Sequence, residues 1–172
     1  MNIKQFNDWL SSDDKQSLIM GILNVTPDSF SDGGQYFEKN TAIEHALKMV
    51  ENGADIIDIG GESTRPFSDP VSLDEELSRV IPVIEGIRKK SDVCISIDTT
   101  KSMVASKALH VGASIINDVS AMEIDPLMAD VAIQFDCPLI IMHMKGTPKN
   151  MQDNPKYESL ISDIKDYLIG RI

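Results

Sequence analysis

Basic residues are scarce in this sequence: 16 Lys and Arg stand against 27 Asp and Glu, a formal net charge of −11. That deficit argues against a nucleic-acid-binding surface, which needs a basic stripe. It leaves room for an anionic ligand, because a few local cations and helix N-termini can dominate one cleft. Cysteine is nearly absent. Cys94 and Cys137 sit at the edges of apolar runs and read as free core thiols in a reducing compartment. No apolar run approaches the ~20 residues of a membrane span. The first residues, with Asn2, Asp8, Asp13 and Asp14, lack the basic and apolar regions of a signal peptide. A cytoplasmic chain with no membrane partner is the expectation. Only 3 histidines occur, with no two-His spacing and no Cys/His cluster, so no zinc site is expected. No linker, internal repeat or low-complexity segment marks a second domain.

What is present suits one domain with a real core: 172 residues, 42% of them hydrophobic. Strand-like apolar runs alternate with amphipathic segments. The predicted strands are Ser17–Asn24, Asp55–Gly60, Val93–Asp98, Ser114–Asp118 and Pro138–His143. The predicted helices are Thr41–Asn52 with Gly53 as stop, Leu73–Lys90 with a kink or break at Pro82, Lys101–Val111 with Thr99 or Thr100 as N-cap, Pro126–Phe135 and Tyr157–Ile169. Such alternation implies parallel strands covered by helices. Two closures remain open, a doubly wound sheet or a (β/α)8 barrel. The absence of G-x-G-x-x-G after any strand weakens the first. Polar residues at every strand's C-terminal end favour the second, although a barrel needs eight strands and typically ~250 residues.

The strand ends carry the candidate chemistry. After the first strand, Asn24 to Gly34 is a Pro-, Gly- and Ser-rich loop. It reads as a lid, with Phe30 closing on a ring and Asp28, Ser29 and Asp32 ordering it or holding a cation; the alternative is an ordinary connection with Phe30 in the core. After the second strand, Ser63, Thr64 and Arg65 offer hydroxyls and a guanidinium for an anion, unless Arg65 pairs internally with Glu62. Asp98 and Asn117 end neighbouring strands and together suit the donor–acceptor edge of a flat heterocycle; Asp98 could instead cap a helix. Asp58 lies mid-strand between isoleucines and needs a partner the sequence does not name. Met142 suits a ring face, and His143 is either an acid–base group or, as a lone His, structural.

Several of these segments together resemble one family. Gly21–Gly34 (GILNVTPDSFSDGG) and Gly53–Pro66 (GADIIDIGGESTRP) resemble the first two signatures of dihydropteroate synthase. Ser96–Thr99, Ile116–Val119 and Met142–Pro148 are similar to the ends of its third, fourth and fifth strands. The resemblance implies a (β/α)8 TIM-type barrel, of which residues 1–172 would be the N-terminal, pterin-binding portion, about the first five βα units. It implies condensation of 6-hydroxymethyl-7,8-dihydropterin pyrophosphate with p-aminobenzoate to 7,8-dihydropteroate and pyrophosphate, with Mg²⁺ and with sulfonamides as competitors. By the same resemblance Asn24 holds metal and pyrophosphate, Thr64 and Arg65 meet pyrophosphate, Asp98 and Asn117 bind the pterin beside Met142, and Phe30 and Pro66 form the p-aminobenzoate pocket. The family's later Asp, Lys, Arg and His, and the helices of its usual homodimer, have no counterpart before Ile172, so the chain alone is expected to be inactive. The alternatives are a pterin-binding methyltransferase barrel, which lacks the Thr26–Asp32 motif, and a non-catalytic half-barrel.

Overall fold

A computed structural model describes residues 1–26, 35–62, 70–146, 151 and 154–172, with backbone alone for 35–38. The chain opens with helix α1 (Ile3–Ser11), to which the sequence reading assigned no element. Its signal is a capping box. The Asn2 side chain accepts from the Gln5 N–H at 3.0 Å while the Gln5 side chain accepts from the Asn2 N–H at 2.8 Å.

Then follow β1 (Met20–Asn24), α2 (Gln35–Glu51), β2 (Ile56–Gly60), α3 (Leu73–Arg88), β3 (Cys94–Asp98), α4 (Ser102–His110), β4 (Ile115–Asp118), α5 (Met128–Phe135), β5 (Leu139–Ile141) and α6 (Leu160–Ile169). All five strands are parallel and pair in sequential order β1-β2-β3-β4-β5. Sequential order means the sheet is wound one way only, as in a barrel, since a doubly wound sheet reverses direction at a switch point.

The packing agrees. Period-two alternation sends Leu23, Ile57, Ile59, Ile95, Ile97 and Ile116 to one face, where they share a core with Ala46, Val80, Ile84, Val104, Ala108 and Met128 of α2 to α5. The other face carries Ile56, Cys94 and Ile115 at its lower end, closed by Phe6 of α1. Cys94 is buried and free, and Cys137 is free and partly buried.

Three expectations need correcting. Pro82 does not break α3, which runs through it. Neither Thr99 nor Thr100 caps α4. Its N-cap position is Lys101, without a side-chain cap bond, and the Ser102 N–H donates instead to Asp125 Oδ2 at 2.8 Å, from the loop after β4. Last, β5 is only three residues long and stops before Met142. Gly53 does end α2, with φ +102° and its N–H on the Val50 carbonyl. No helix among the described residues is long and apolar enough to cross a membrane.

Candidate active site

The strand registers bring the candidate residues together. Asn24 pairs with Gly60, Gly60 with Asp98, and Asp98 with Asn117, so one row crosses four adjacent strand ends. This row lies two residues beyond Asp58 and Ser96, on the face that α2 to α5 leave uncovered. Gly60 is the gap in the row. A Cβ there would meet Asp98 Oδ2 at 3.4 Å and Asn24 Oδ1 at 3.5 Å, so glycine lets those two side chains flank an open floor. Met142 is exposed just past β5, at the same end of the sheet.

The electrostatics of this floor are acidic. Asp98 is pushed up to about 7, first by burial and then by the surrounding carboxylates of Asp58, Glu76, Asp118 and Glu62. Near neutral pH it is therefore poised between acid and carboxylate. A ligand that brings positive charge or N–H donors would favour its charged form.

Asp58 has the partner that the sequence could not name: Asn117 Nδ2 donates to its Oδ2 at 3.1 Å. Asp118, the polar end of β4 on the helix side, is spent on structure. It accepts from the Ser120 N–H at 2.8 Å, the Ser120 hydroxyl at 2.7 Å and the Met122 N–H at 2.7 Å, which fixes a turn where Ala121 and Met122 have positive φ.

One charged cluster escaped the sequence reading. Lys101 bridges Glu62, at the end of β2, and Oε2 of Glu76 on α3 at 2.6 Å. Burial pulls the Lys101 ammonium down, but its bonds to Glu62 and Glu76 outweigh that and hold it above its usual range. Glu76 is 0% exposed. The signal was its place on the apolar stripe of α3 with Leu73, Leu77, Val80 and Ile84. Glu62 thus pairs with Lys101; whether it also pairs with Arg65 lies outside the described residues.

His143 has packing partners. Its ring packs edge-on to Tyr167 at 4.8 Å and tilted to Tyr157 at 5.7 Å, joining the end of β5 to α6. Asp28, Ser29, Phe30 and Asp32 of the first loop, and Thr64, Arg65 and Pro66 of the second, lie outside the described residues. A groove of about 580 Å³ between α3 and α4, lined by Leu77, Ile81, Pro82 and Val111 with Asp74, Lys107 and His110 at its rim, belongs to the helix layer, away from the strand ends.

The fold and the sequence have relatives among known proteins. Residues 20–172 match the pattern of the family described as pterin binding enzyme. The chain is 46% identical over 170 residues to the dihydropteroate synthase of Escherichia coli, covering 99% of this chain and 60% of that protein. Among solved structures it is similar to Yersinia pestis dihydropteroate synthase in complex with a sulfonamide drug, at TM-score 0.82 and 46% identity over 91% of this chain and 56% of the other. It is similar too to the Xanthomonas albilineans enzyme with 4-aminobenzoic acid, at TM-score 0.82 and 42% identity over 91% and 55%. The chain spans little more than half the length of these relatives.

Proposed function

The chain belongs to the pterin-binding enzyme family, and from that premise we propose that its strand ends form the pterin side of a dihydropteroate synthase site. The observation that carries this is the in-register row Asn24, Gly60, Asp98, Asn117, with a side-chain-free floor at Gly60. A flat ring fits over such a floor, with the acceptor groups of Asp98 and Asn117 at its edge and Met142 against its face.

The reaction in this reading joins the aniline nitrogen of p-aminobenzoate to the exocyclic methylene carbon of the dihydropterin. The carbon–oxygen bond to pyrophosphate breaks, pyrophosphate departs with that electron pair, and the aniline nitrogen gives up a proton. The pterin becomes electron-poor as the bond breaks, and an ionised Asp98 stabilises it. Thr64 and Arg65 take the pyrophosphate, while Phe30 and Pro66 shape the p-aminobenzoate pocket, the place where sulfonamides compete.

Mg²⁺ belongs to the same proposal. Among the described residues no group of three or more His, Cys, Asp and Glu side chains is placed to hold a metal. Asn24, at the exposed end of β1, offers one hard amide oxygen. That donor suits a Mg²⁺ that keeps its waters and takes its other oxygens from the pyrophosphate. Bound there, the ion would neutralise charge on the leaving group.

Grafting tests the proposal. Residues 20–172 replace the matching segment of the Escherichia coli enzyme, and pyrophosphate release is followed with and without p-aminobenzoate. The chimera should turn over only with the arylamine present, and Asp98→Asn should lower the rate by roughly 10²–10³. A folded chimera without turnover rejects the assignment.

A further inference from the structure

Asp58 has no part in the chemistry above, yet it sits in an expensive place. It is 3% exposed, in the middle of β2 between Ile57 and Ile59. Its Oδ1 has no hydrogen-bond partner among the described residues, and the hydroxyl of Ser96, its register partner on β3, has none either. On the other side its register partner is Ile22 of β1. A buried carboxylate with one hydrogen bond is disfavoured, and an aliphatic residue would suit such neighbours better. Its one bond, from Asn117 Nδ2 at 3.1 Å, is therefore the place to look for what it does.

A carboxylate only accepts, so the amino end of the Asn117 carboxamide is the end that faces Asp58. The carbonyl end is then turned away from Asp58, on a residue whose register partner at the end of β3 is Asp98. We propose that Asp58 is a positioning residue that locks the Asn117 carboxamide in one orientation, so that the cleft presents the Asn117 carbonyl beside the Asp98 carboxylate and takes a heterocycle edge rich in N–H donors. The lock needs no ligand; its consequence for ligand choice rests on the pterin reading above.

Ionisation of Asp58 is part of the device, because a protonated Asp58 can donate to a flipped carbonyl and the lock is lost. Burial pushes the Asp58 carboxyl up; the neighbouring Ser96 hydroxyl, close but short of a well-formed hydrogen bond, and the Asn117 amide only ease the shift. The titratable group facing it from β3 is Asp98; Ile22 from β1 and Asn117 from β4 do not titrate.

The test uses the 172-residue chain. Asn117 side-chain N–H signals are assigned by their loss in Asn117→Ala and followed by nuclear magnetic resonance. One Nδ2 proton should lie downfield, and it should return to the ordinary carboxamide position both in Asp58→Leu and on acidification through the Asp58 carboxyl. Signals indifferent to both changes overturn the lock, and the acid titration alone decides should the variant not fold. Calorimetric titration with 6-hydroxymethylpterin forms the second arm. Asp58→Leu should weaken binding about tenfold or more while leaving the melting temperature equal or higher, and Asn117→Ala added to it should cost nothing further. Unchanged affinity in a folded Asp58→Leu chain, or additive losses, overturns the proposal. No pterin binding by the unsubstituted chain, with the proton signature intact, counts against the pterin reading and for the lock.

Discussion

Asp98 is buried and held among four other carboxylates, and the burial first, then that crowding, makes the unliganded site destabilising. The sign follows from proton binding. With its carboxyl raised to about 7, the folded chain binds more protons than the unfolded one between roughly pH 4 and pH 7, so this group's contribution to stability falls as pH rises through that window. Asp98→Asn should therefore stabilise the ligand-free chain, by on the order of 1–2 kcal/mol at pH 7.5 after allowance for partial solvent access, and by almost nothing at pH 4. Thermal melts of both proteins across that range check it; a constant difference would show the crowding to be unimportant. The placement of Asn24, Asp98 and Asn117 in one row of strand ends was legible because polar residues there break an apolar pattern. Glu76 and the partner of Asp58 were not, since a buried ion pair or carboxylate acquires its partner from a distant segment that no local pattern reports.

Helices and strands were legible where apolar periodicity ran long. The five strand segments fall within those read from the sequence, trimmed by one to three residues wherever an end lacks its ladder. The N-terminal helix was not read, because its nine residues bury only Phe6 and the pattern is short. Caps made by distant residues were equally invisible: nothing near Lys101 announces Asp125. Packing between elements also sets substitution limits. Gly86 of α3 faces Ile43 of α2, and a Cβ there would come within 2.2 Å of Ile43 Cδ1 and 2.9 Å of Cγ1. Gly86→Ala should thus destabilise by roughly 1–3 kcal/mol through overpacking, despite the better helix propensity of alanine. Urea unfolding measures this; a more stable variant would mean that Ile43 re-packs freely.

At the scale of the molecule, the sequential strand order follows from units that each wind the same way, and it decides which face receives helices and which receives ligand. Among the described residues β1 and β5 each pair on one side only, and Ile22 on the uncovered face is 56% exposed. Open strand edges recruit further strands. The 172-residue polypeptide should self-associate with rising concentration, as sedimentation velocity would show; a monomer at every concentration would mean that its edges are shielded. Asp125 couples parts of the chain that the βα repeat treats as separate. Its carboxylate receives the Ser102 N–H that opens α4 and, at 3.1 Å, the Leu127 N–H of its own loop; against the opposing effect of burial, the Ser102 hydroxyl and these two N–H groups hold it below the usual carboxylate range. Local opening events should cross the repeat boundary accordingly. In native-state hydrogen exchange the Ser102 and Leu127 amides should be released with one common free energy, and Asp125→Ala should speed both together. Independent release would assign each βα unit its own opening, whereas joint release makes the loop after β4 and the start of α4 one cooperative unit of unfolding.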